Sequence, residues 1–151
     1  TAKAFLWKGH CSVHQMFQPE HIYDFRSKYP NGKVISHPEC SFDVCSNSDF
    51  VGSTEYIINT IKDSEPGSHW LVGTELNLVS RIANEFKPLD KLVRFMSPLI
   101  CNCSTMNRIS IDHLHNILKN LDDGNVQNSI VVNDNIKYYA KLSIDRMLAL
   151  T

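Results

Sequence analysis

The residues of this chain that could bind metal are five cysteines and the histidines beside the first of them. Cys101 and Cys103 stand one residue apart in a polar loop, and Cys11 lies between His10 and His14. Two or three thiolates that come from separate loops suit zinc or an iron–sulfur cluster. Cys101 follows an apolar pair and is equally consistent with a packed side chain. The two histidines could be ligands, supporting groups or surface residues.

The cysteine count is odd, and the chain carries a full complement of apolar residues. Both features are untypical of a secreted disulfide scaffold, so we expect free thiols. Cys45 has apolar neighbours at helical spacing and is expected in the core. A pair such as Cys11 and His14 would also suit a thiol hydrolase, in which the imidazole activates the thiol.

His37 and Glu39 flank Pro38 at the end of a predicted strand. Proline keeps the residue before it out of the helical region, so the imidazole of His37 projects beyond the strand. A histidine and a carboxylate within one turn can hold and move a proton. The same three residues also fit a proline-terminated strand that ends in solvated polar side chains.

Two further strand ends are followed by Gly-Ser-Thr at 52–54 and Gly-Thr-Glu at 73–75. Ser53 and Thr54 are typical helix-capping residues, and the N–H groups and hydroxyls at a helix start also bind carboxylates or phosphates. Glu75 favours the start of the next helix, because its charge complements the helix dipole.

Helical and strand patterns alternate along the chain. Strands that alternate with helices of this length pair in parallel, which predicts an α/β layer architecture. The patterns predict helices over 19–29, 41–47, 54–62, 75–86, 109–121 and 134–150, strands over 33–36, 49–51, 69–72 and 91–95, and an extended segment over 126–132.

Ligands of parallel α/β sheets bind beyond the carboxyl ends of the strands. The histidine–proline–glutamate turn, both glycine turns and the loop of Cys101 and Cys103 each follow a predicted strand, and Cys11 follows the apolar run 4–6. We therefore expect these five loops to meet at one edge of the sheet and to form a site.

Hydrophobic residues make up 42% of the chain and charged residues 21%, with a formal net charge of -1. The composition is that of a globular protein, and the lack of a basic excess argues against nucleic-acid binding. The apolar runs are too short to cross a bilayer, and no signal peptide is visible, so no membrane partner is expected. The first residue, Thr1, suggests a piece of a longer chain.

Taken in order, five motifs resemble quinolinate synthase, the NadA-type enzyme of NAD biosynthesis. The closing run 140–148 is also similar to that family's C-terminal helix. The motifs are Trp7-Lys-Gly-His-Cys-Ser-Val-His14, His37-Pro-Glu-Cys40, Val51-Gly-Ser-Thr54, Val72-Gly-Thr-Glu75 and Cys103-Ser-Thr-Met-Asn-Arg-Ile109.

The resemblance implies a transferase that condenses iminoaspartate with dihydroxyacetone phosphate to give quinolinate. It implies a [4Fe-4S] cluster held by three cysteines, whose open iron acts as a Lewis acid. The implied fold is a three-layer αβα domain with a short parallel sheet, one of three pseudo-symmetric domains, followed by C-terminal helices. The family further implies an L-aspartate oxidase upstream and a location in the cytoplasm, or in the plastid of an alga.

The resemblance places Cys11 and Cys103 at two of the three cluster-ligand positions. Cys40 and Cys101 match no ligand position of the common pattern. The remaining cluster cysteine, which belongs to the family's first domain, has no counterpart in this chain.

The substrate-binding residues are also implied by the resemblance. His37 matches a residue that contacts a substrate carboxylate, and Glu39 matches one that moves protons during condensation and dehydration. Thr54, with Ser53 beside it, matches a substrate-binding position at a helix start.

The resemblance divides the chain into 1–15, the end of the family's second domain, 16–107, the third domain, and 108–151, a helical segment that packs back on the first domain. The N-terminal half of the enzyme is then an expected partner, and the isolated chain should be inactive. The alternative reading is a zinc-binding structural module in which Cys11, Cys101, Cys103 and a histidine hold the metal.

Overall fold

The computed structural model describes residue 3 and residues 8–99 and 103–150. The chain divides into two compact units, Thr1–Arg108 and Ile109–Thr151. The apolar run 4–6 and the cysteine at position 101 lie outside the described residues. The assignment of segments to the domains of a longer enzyme stays a prediction.

The first unit is built on a four-stranded parallel sheet, which confirms the predicted α/β class. The strand order is β2-β1-β3-β4, so consecutive strands along the chain are not all neighbours in space. The strands are β1 (Lys33–Ser36), β2 (Phe50–Val51), β3 (His69–Gly73) and β4 (Leu92–Phe95), and the helices are α1 (Pro19–Lys28), α2 (Phe42–Asn47), α3 (Thr54–Lys62) and α4 (Leu76–Phe86).

Helices cover both faces of the sheet. Neighbouring residues of a strand point to opposite faces, so they pack against different helices. Val34 packs on the side of α1 and α2, whereas Ile35 packs on the side of α3 and α4. The same alternation places Leu71 and Val72 of β3 in different cores. The unit is therefore a three-layer αβα structure, as the resemblance implied.

The central strands β1 and β3 pair along their full length, with Ser36 opposite Gly73. The chain leaves β1 toward β2 on one side and reaches β3 on the other, so the strand order reverses between β1 and β3. The crevice at such a reversal is where parallel α/β sheets bind their ligands. His37 donates its backbone N–H to the carbonyl of Gly73 at 2.9 Å, which extends the pairing by one residue into that crevice.

The start of α3 is determined by local chemistry. Ser53 caps the helix, since its hydroxyl accepts the backbone N–H of Tyr56 at 3.3 Å. A Cβ at Gly52 would lie 2.1 Å from the ring of Tyr56, so only glycine fits the turn before the cap. The helix therefore begins immediately beyond the carboxyl end of β2.

The second unit consists of two amphipathic helices, α5 (Ile111–Asp122) and α6 (Asp134–Leu148). None of its described residues is buried. The expected extended segment 126–132 forms no strand, and Asn128 within it has a left-handed φ of 58°, which interrupts an extended run. That expectation was wrong, because the left-handed residue turns the chain and no neighbouring strand pairs with the segment.

No helix in the described part of the chain combines the length and apolar character that crossing a bilayer requires.

The far end of α3 is held by a buried lysine. Lys91, which precedes β4, is only 5% exposed. Its Nζ donates to the carbonyls of Ile61 at 2.9 Å and Lys62 at 2.6 Å. The ammonium thus adds a charged donor to the carbonyls of the last helical turn, where Ile61 also accepts from the hydroxyl of Ser64, and it complements the negative end of the helix dipole.

We expect Lys91→Met to lower the free energy of unfolding by about 1–3 kcal/mol, because carbonyls at the end of α3 lose their charged donor. Urea denaturation followed by circular dichroism measures the change. Lys62→Met, on the exposed surface of the same helix, should stay within about 0.5 kcal/mol of wild type. Equal effects of the two substitutions would contradict the assigned role of Lys91.

Candidate functional site

A cavity of about 420 Å³ lies beyond the carboxyl ends of the strands. It brings together five of the six residues that the sequence analysis proposed for the site, from four separate loops. Three further polar side chains complete its wall. The lining residues are Cys11, Val13, His14, His37, Glu39, Thr54, Thr74, Glu75, Leu78, Cys103 and Met106.

The turn after β1 holds His37 in one orientation. The backbone N–H of Glu39 donates to Nδ1 of His37 at 3.2 Å, and the backbone N–H of Cys40 donates to the carbonyl of His37 at 3.0 Å. Because Nδ1 accepts a hydrogen bond, the neutral ring carries its proton on Nε2. Oε2 of Glu39 lies 3.8 Å from the same Nδ1. The turn therefore presents a ring donor and a carboxylate side by side.

His14 lies behind this pair and is buried. Its ring stacks on that of His37, with 5.0 Å between the ring centres. Burial lowers the pKa of His14 below its ordinary value of 6.5, and the nearby His37 lowers it further, while Glu39 acts in the opposite direction. His14 is therefore neutral at pH 7, and its 3.1 Å approach to Oε2 of Glu39 is not an ion pair at that pH.

Thr74 and His14 are functional candidates whose position the sequence analysis left undecided. Nε2 of His14 lies 3.5 Å from Oγ1 of Thr74, and both residues are buried although 60 positions separate them. The sequence analysis read Thr74 as part of a turn and left His14 open among three roles. The sequence signal that could have placed Thr74 in the cavity is its position directly after the central strand β3.

Hydrogen bonds from its own loop lower the pKa of Cys103. Its Sγ lies 3.2 Å from the hydroxyl of Thr105. This hydroxyl and the backbone N–H groups of Met106 and Thr105 lower the pKa of Cys103 below its ordinary value, because they donate to the charged form. Thiolates are the form of cysteine that binds metals and attacks electrophiles.

Cys40 differs from Cys103 in its burial, its hydrogen bonding and the direction of its pKa shift. It is buried, and its Sγ donates to the carbonyl of Gly73 at 3.4 Å. Burial and the neighbouring Cys45 raise the pKa of Cys40 to about 12, so it remains a thiol at neutral pH. Cys45 packs against the same core, as its apolar neighbours predicted. Neither residue lines the cavity.

The two helix starts at this edge of the sheet are not equivalent. Glu75 caps α4 with its own carboxylate, which accepts the backbone N–H groups of Asn77 at 2.8 Å and Leu78 at 3.1 Å. Thr54 lines the cavity at the start of α3, whereas the Ser53 hydroxyl is used by the cap. The start of α3 therefore contributes Thr54 to the cavity wall, and Ser53 does not line the cavity.

The two alternative chemistries can be compared with this geometry. A hydrolase pair needs a hydrogen bond between Cys11 and His14, but Nε2 of His14 faces Thr74 and Nδ1 has no hydrogen-bond partner among the described residues. The zinc module needs Cys101, which lies outside the described residues. Cys11 and Cys103 do line one cavity.

Comparisons with known proteins agree with these motifs. A family described as "Quinolinate synthetase A protein" matches residues 1–149. A quinolinate synthase of Geobacillus thermodenitrificans is 48% identical over 148 residues, which are 98% of this chain and 40% of that protein. One of Streptomyces coelicolor is 46% identical over 149 residues (99% and 38%), and one of Staphylococcus carnosus is 49% identical over 146 (97% and 39%). The chain spans about two fifths of the length of these relatives.

We expect Thr105→Val to raise the pKa of Cys103, because the thiolate loses the hydroxyl that stabilises it. The pH profile of Cys103 alkylation should move to higher pH, so the reaction at neutral pH becomes slower. Site-resolved mass spectrometry after iodoacetamide treatment measures the rate, with the buried Cys40 as an unreactive internal reference. Thr60→Val, outside the cavity, should leave the profile unchanged. An unaltered profile in Thr105→Val would contradict the assigned hydrogen bond.

Proposed function

Because the chain belongs to the quinolinate synthetase A family, we propose that it forms part of a quinolinate synthase that condenses iminoaspartate with dihydroxyacetone phosphate. The observation that supports this proposal is the single cavity that collects Cys11, His37, Glu39, Thr54 and Cys103. These residues come from motifs spread over more than ninety positions of the sequence. The reaction, its substrates and its cofactor remain proposals for this chain.

The donor set of the cavity fits an iron–sulfur cluster. Cys11 and Cys103 both line it, and hydrogen bonds lower the pKa of Cys103 toward the thiolate that such a cluster requires. The remaining ligand of a three-cysteine cluster would come from the rest of the enzyme. When bound, the cluster supplies a Lewis-acidic iron that polarises a substrate oxygen or nitrogen.

Anionic groups of the substrates have two donors in the cavity. His37 carries its ring proton on Nε2, since Nδ1 accepts from the backbone, so it can donate one hydrogen bond to a carboxylate. The hydroxyl of Thr54 and the backbone N–H groups at the start of α3 offer a second anion site, because the positive end of the helix dipole lies there. The cavity thus provides a donor on either side of a dicarboxylic substrate.

Glu39 is placed to move protons. Its side chain is 56% exposed and faces the cavity, so a substrate can reach it. The proposed reaction removes a proton from a substrate carbon and later returns one to a leaving hydroxyl, and a carboxylate can perform both steps. His14 lies 3.1 Å from this carboxylate but is neutral, so the two groups do not form a permanent ion pair.

The chemistry also indicates which reaction supplies the substrate. Iminoaspartate forms by oxidation of the amine of aspartate, so we infer an L-aspartate oxidase as the upstream enzyme. We propose a cytoplasmic location for the pair.

A chimera tests the role of Glu39. The matching segment of the Geobacillus thermodenitrificans relative is replaced by these 151 residues, and quinolinate formation is followed under anaerobic conditions. We expect Glu39→Gln to lower kcat by about 10²–10⁴-fold with little change in KM, because the amide keeps the shape but cannot exchange the proton. His37→Ala should raise KM instead, because it removes a donor that binds the substrate carboxylate. A Glu39→Gln chimera with near-normal turnover per cluster would exclude Glu39 from the mechanism.

The same chimera separates the two cysteines of the last loop. Cys103→Ser should abolish the cluster, because Cys103 lines the cavity with Cys11 and its pKa is lowered by hydrogen bonds. Cys101→Ser should retain most of it. Iron and inorganic sulfide analysis of the anaerobically purified protein measures both, and the reverse result would show that the ligand assignment is wrong by two residues.

A further inference from the structure

Both ends of the turn at 37–40 are attached to one backbone oxygen. The carbonyl of Gly73 accepts the backbone N–H of His37 at 2.9 Å and the thiol of Cys40 at 3.4 Å. A backbone carbonyl has two lone pairs, so it can accept both bonds together. Among the hydrogen bonds of the described residues, these two join the turn to β3. The thiol of Cys40 therefore closes the loop that carries His37 and Glu39.

The backbone donors within the turn are not free to replace the thiol. Pro38 has no backbone N–H. The backbone N–H of Glu39 donates to Nδ1 of His37, and that of Cys40 donates to the carbonyl of His37. Both donors are thus used inside the turn, and the far end of the turn is joined to β3 through the Cys40 side chain.

We propose that Cys40 is a positioning residue. Its thiol fixes the far end of the turn on β3 and so determines how the ring of His37 and the carboxylate of Glu39 are presented to the cavity. Cys40 itself does not line the cavity. The catalytic consequence rests on the proposed function, whereas the hydrogen bond and its effect on the His37 ring do not.

Burial makes a weak donor sufficient at this point. Cys40 is 7% exposed and Gly73 is buried, so water has little access to either partner. A thiol is a weak donor. Because a buried polar group without a partner is costly, even this bond favours one arrangement of the turn. Burial also raises the pKa of Cys40 to about 12, so the sulfur keeps the proton that it donates.

Cys45 supports the same turn from α2, but with a shared bond. Its Sγ lies 3.7 Å from the carbonyl of His37 and 3.8 Å from that of Cys40. A thiol has one proton, so it donates to one of these carbonyls at a time. The thiol of Cys40 is closer to its acceptor, at 3.4 Å. We therefore assign the larger effect to Cys40.

The ring of His37 reports on the state of the turn. Its Nδ1 accepts the backbone N–H of Glu39 at 3.2 Å, which keeps the ring proton on Nε2. Both residues lie in the loop that the Cys40 thiol closes, so a looser loop weakens this contact. The neutral ring can then carry its proton on either nitrogen, and part of the population loses the Nε2 donor.

Three substitutions of Cys40 separate hydrogen bonding from packing. Cys40→Ser keeps a donor, Cys40→Val fills the volume without one, and Cys40→Ala removes both. Long-range proton–nitrogen NMR spectra of the chain with labelled histidine, at mildly alkaline pH where imidazoles are neutral, measure the His37 tautomer. We expect Nε2–H in wild type and Cys40→Ser, and a mixture of tautomers in Cys40→Val and Cys40→Ala. The His37→Ala spectrum identifies the signal.

Val44→Ala is the matched control. Val44 is fully buried in the same core cluster as Cys40 and has no side-chain donor. Its truncation should lower the free energy of unfolding, because it removes buried methyl groups, and should leave the His37 tautomer as in wild type. A mixture of tautomers in this control would show that any loss of core packing disturbs the ring, which would overturn the assignment to the thiol.

The catalytic consequence is measured in the chimera with the Geobacillus thermodenitrificans relative, per cluster and per folded molecule. Cys40→Val should lower kcat/KM by about 10²-fold, because a small displacement of His37 and Glu39 impairs both substrate binding and proton transfer. Cys40→Ser should remain near wild type, since it keeps a donor toward Gly73.

Two results would overturn the proposal. One is the reverse order, with Cys40→Val active and Cys40→Ser impaired, which would assign Cys40 to packing. The other is the Nε2–H tautomer of His37 in all three Cys40 variants. A wild-type chimera that forms no quinolinate would contradict the proposed function instead, and the His37 tautomer would still decide the role of Cys40.

Discussion

The parallel pairing of β1 with β3 is the interaction on which the rest of the site depends. Its register sets Ser36 opposite Gly73, and the backbone bond from His37 to Gly73 continues it by one residue. The residues that follow, His37 to Glu39 on one strand and Thr74 on the other, therefore leave the sheet side by side. A Cβ at Gly73 would lie 2.9 Å from Cε of Met96 and 3.2 Å from Cβ of Ser36, so a side chain at this point would have to displace the end of Met96 and shift Ser36.

Around this pairing, burial divides residues of the same type into different chemical roles. Cys40 is buried and donates to a backbone carbonyl, and its pKa of about 12 keeps it a thiol. Cys103 is partly exposed and accepts hydrogen bonds, and its pKa is lowered. His14 is likewise kept neutral by burial beside His37. The proton affinities of these side chains are therefore determined by their surroundings rather than by residue type.

The same site is held from a distance by α3. Ser53 holds its first turn, and Lys91 holds its last through two carbonyls at the opposite end of the sheet. Because a helix is stiff along its axis, contacts at both ends determine where Thr54 lies in the cavity. Glu75 has a comparable effect on α4, because its carboxylate accepts the backbone N–H groups at the start of that helix.

The sequence by itself determined the elements and the edge of the sheet at which the chemistry lies. Alternating helix and strand patterns predicted all four strands of the sheet to within two residues, and strand-terminal polar motifs predicted that Cys11, His37, Glu39, Thr54 and Cys103 would meet. These features follow from local propensity and from the rule that parallel strands present their carboxyl ends together. Local signals also misled at 126–132, where the expected extended segment is interrupted by the left-handed Asn128 and pairs with no strand.

Only the tertiary structure decided the partners of each group. The contact of His14 with Thr74 joins residues 60 positions apart, and no spacing rule relates them. The difference between the thiols of Cys40 and Cys103, the use of the Ser53 hydroxyl as a cap, and the burial of Lys91 likewise depend on which atoms surround each side chain. Local patterns specify which face of an element is buried, but hydrogen bonding and desolvation are set by atoms that come from distant parts of the chain, and only the packed fold brings those atoms within bonding distance.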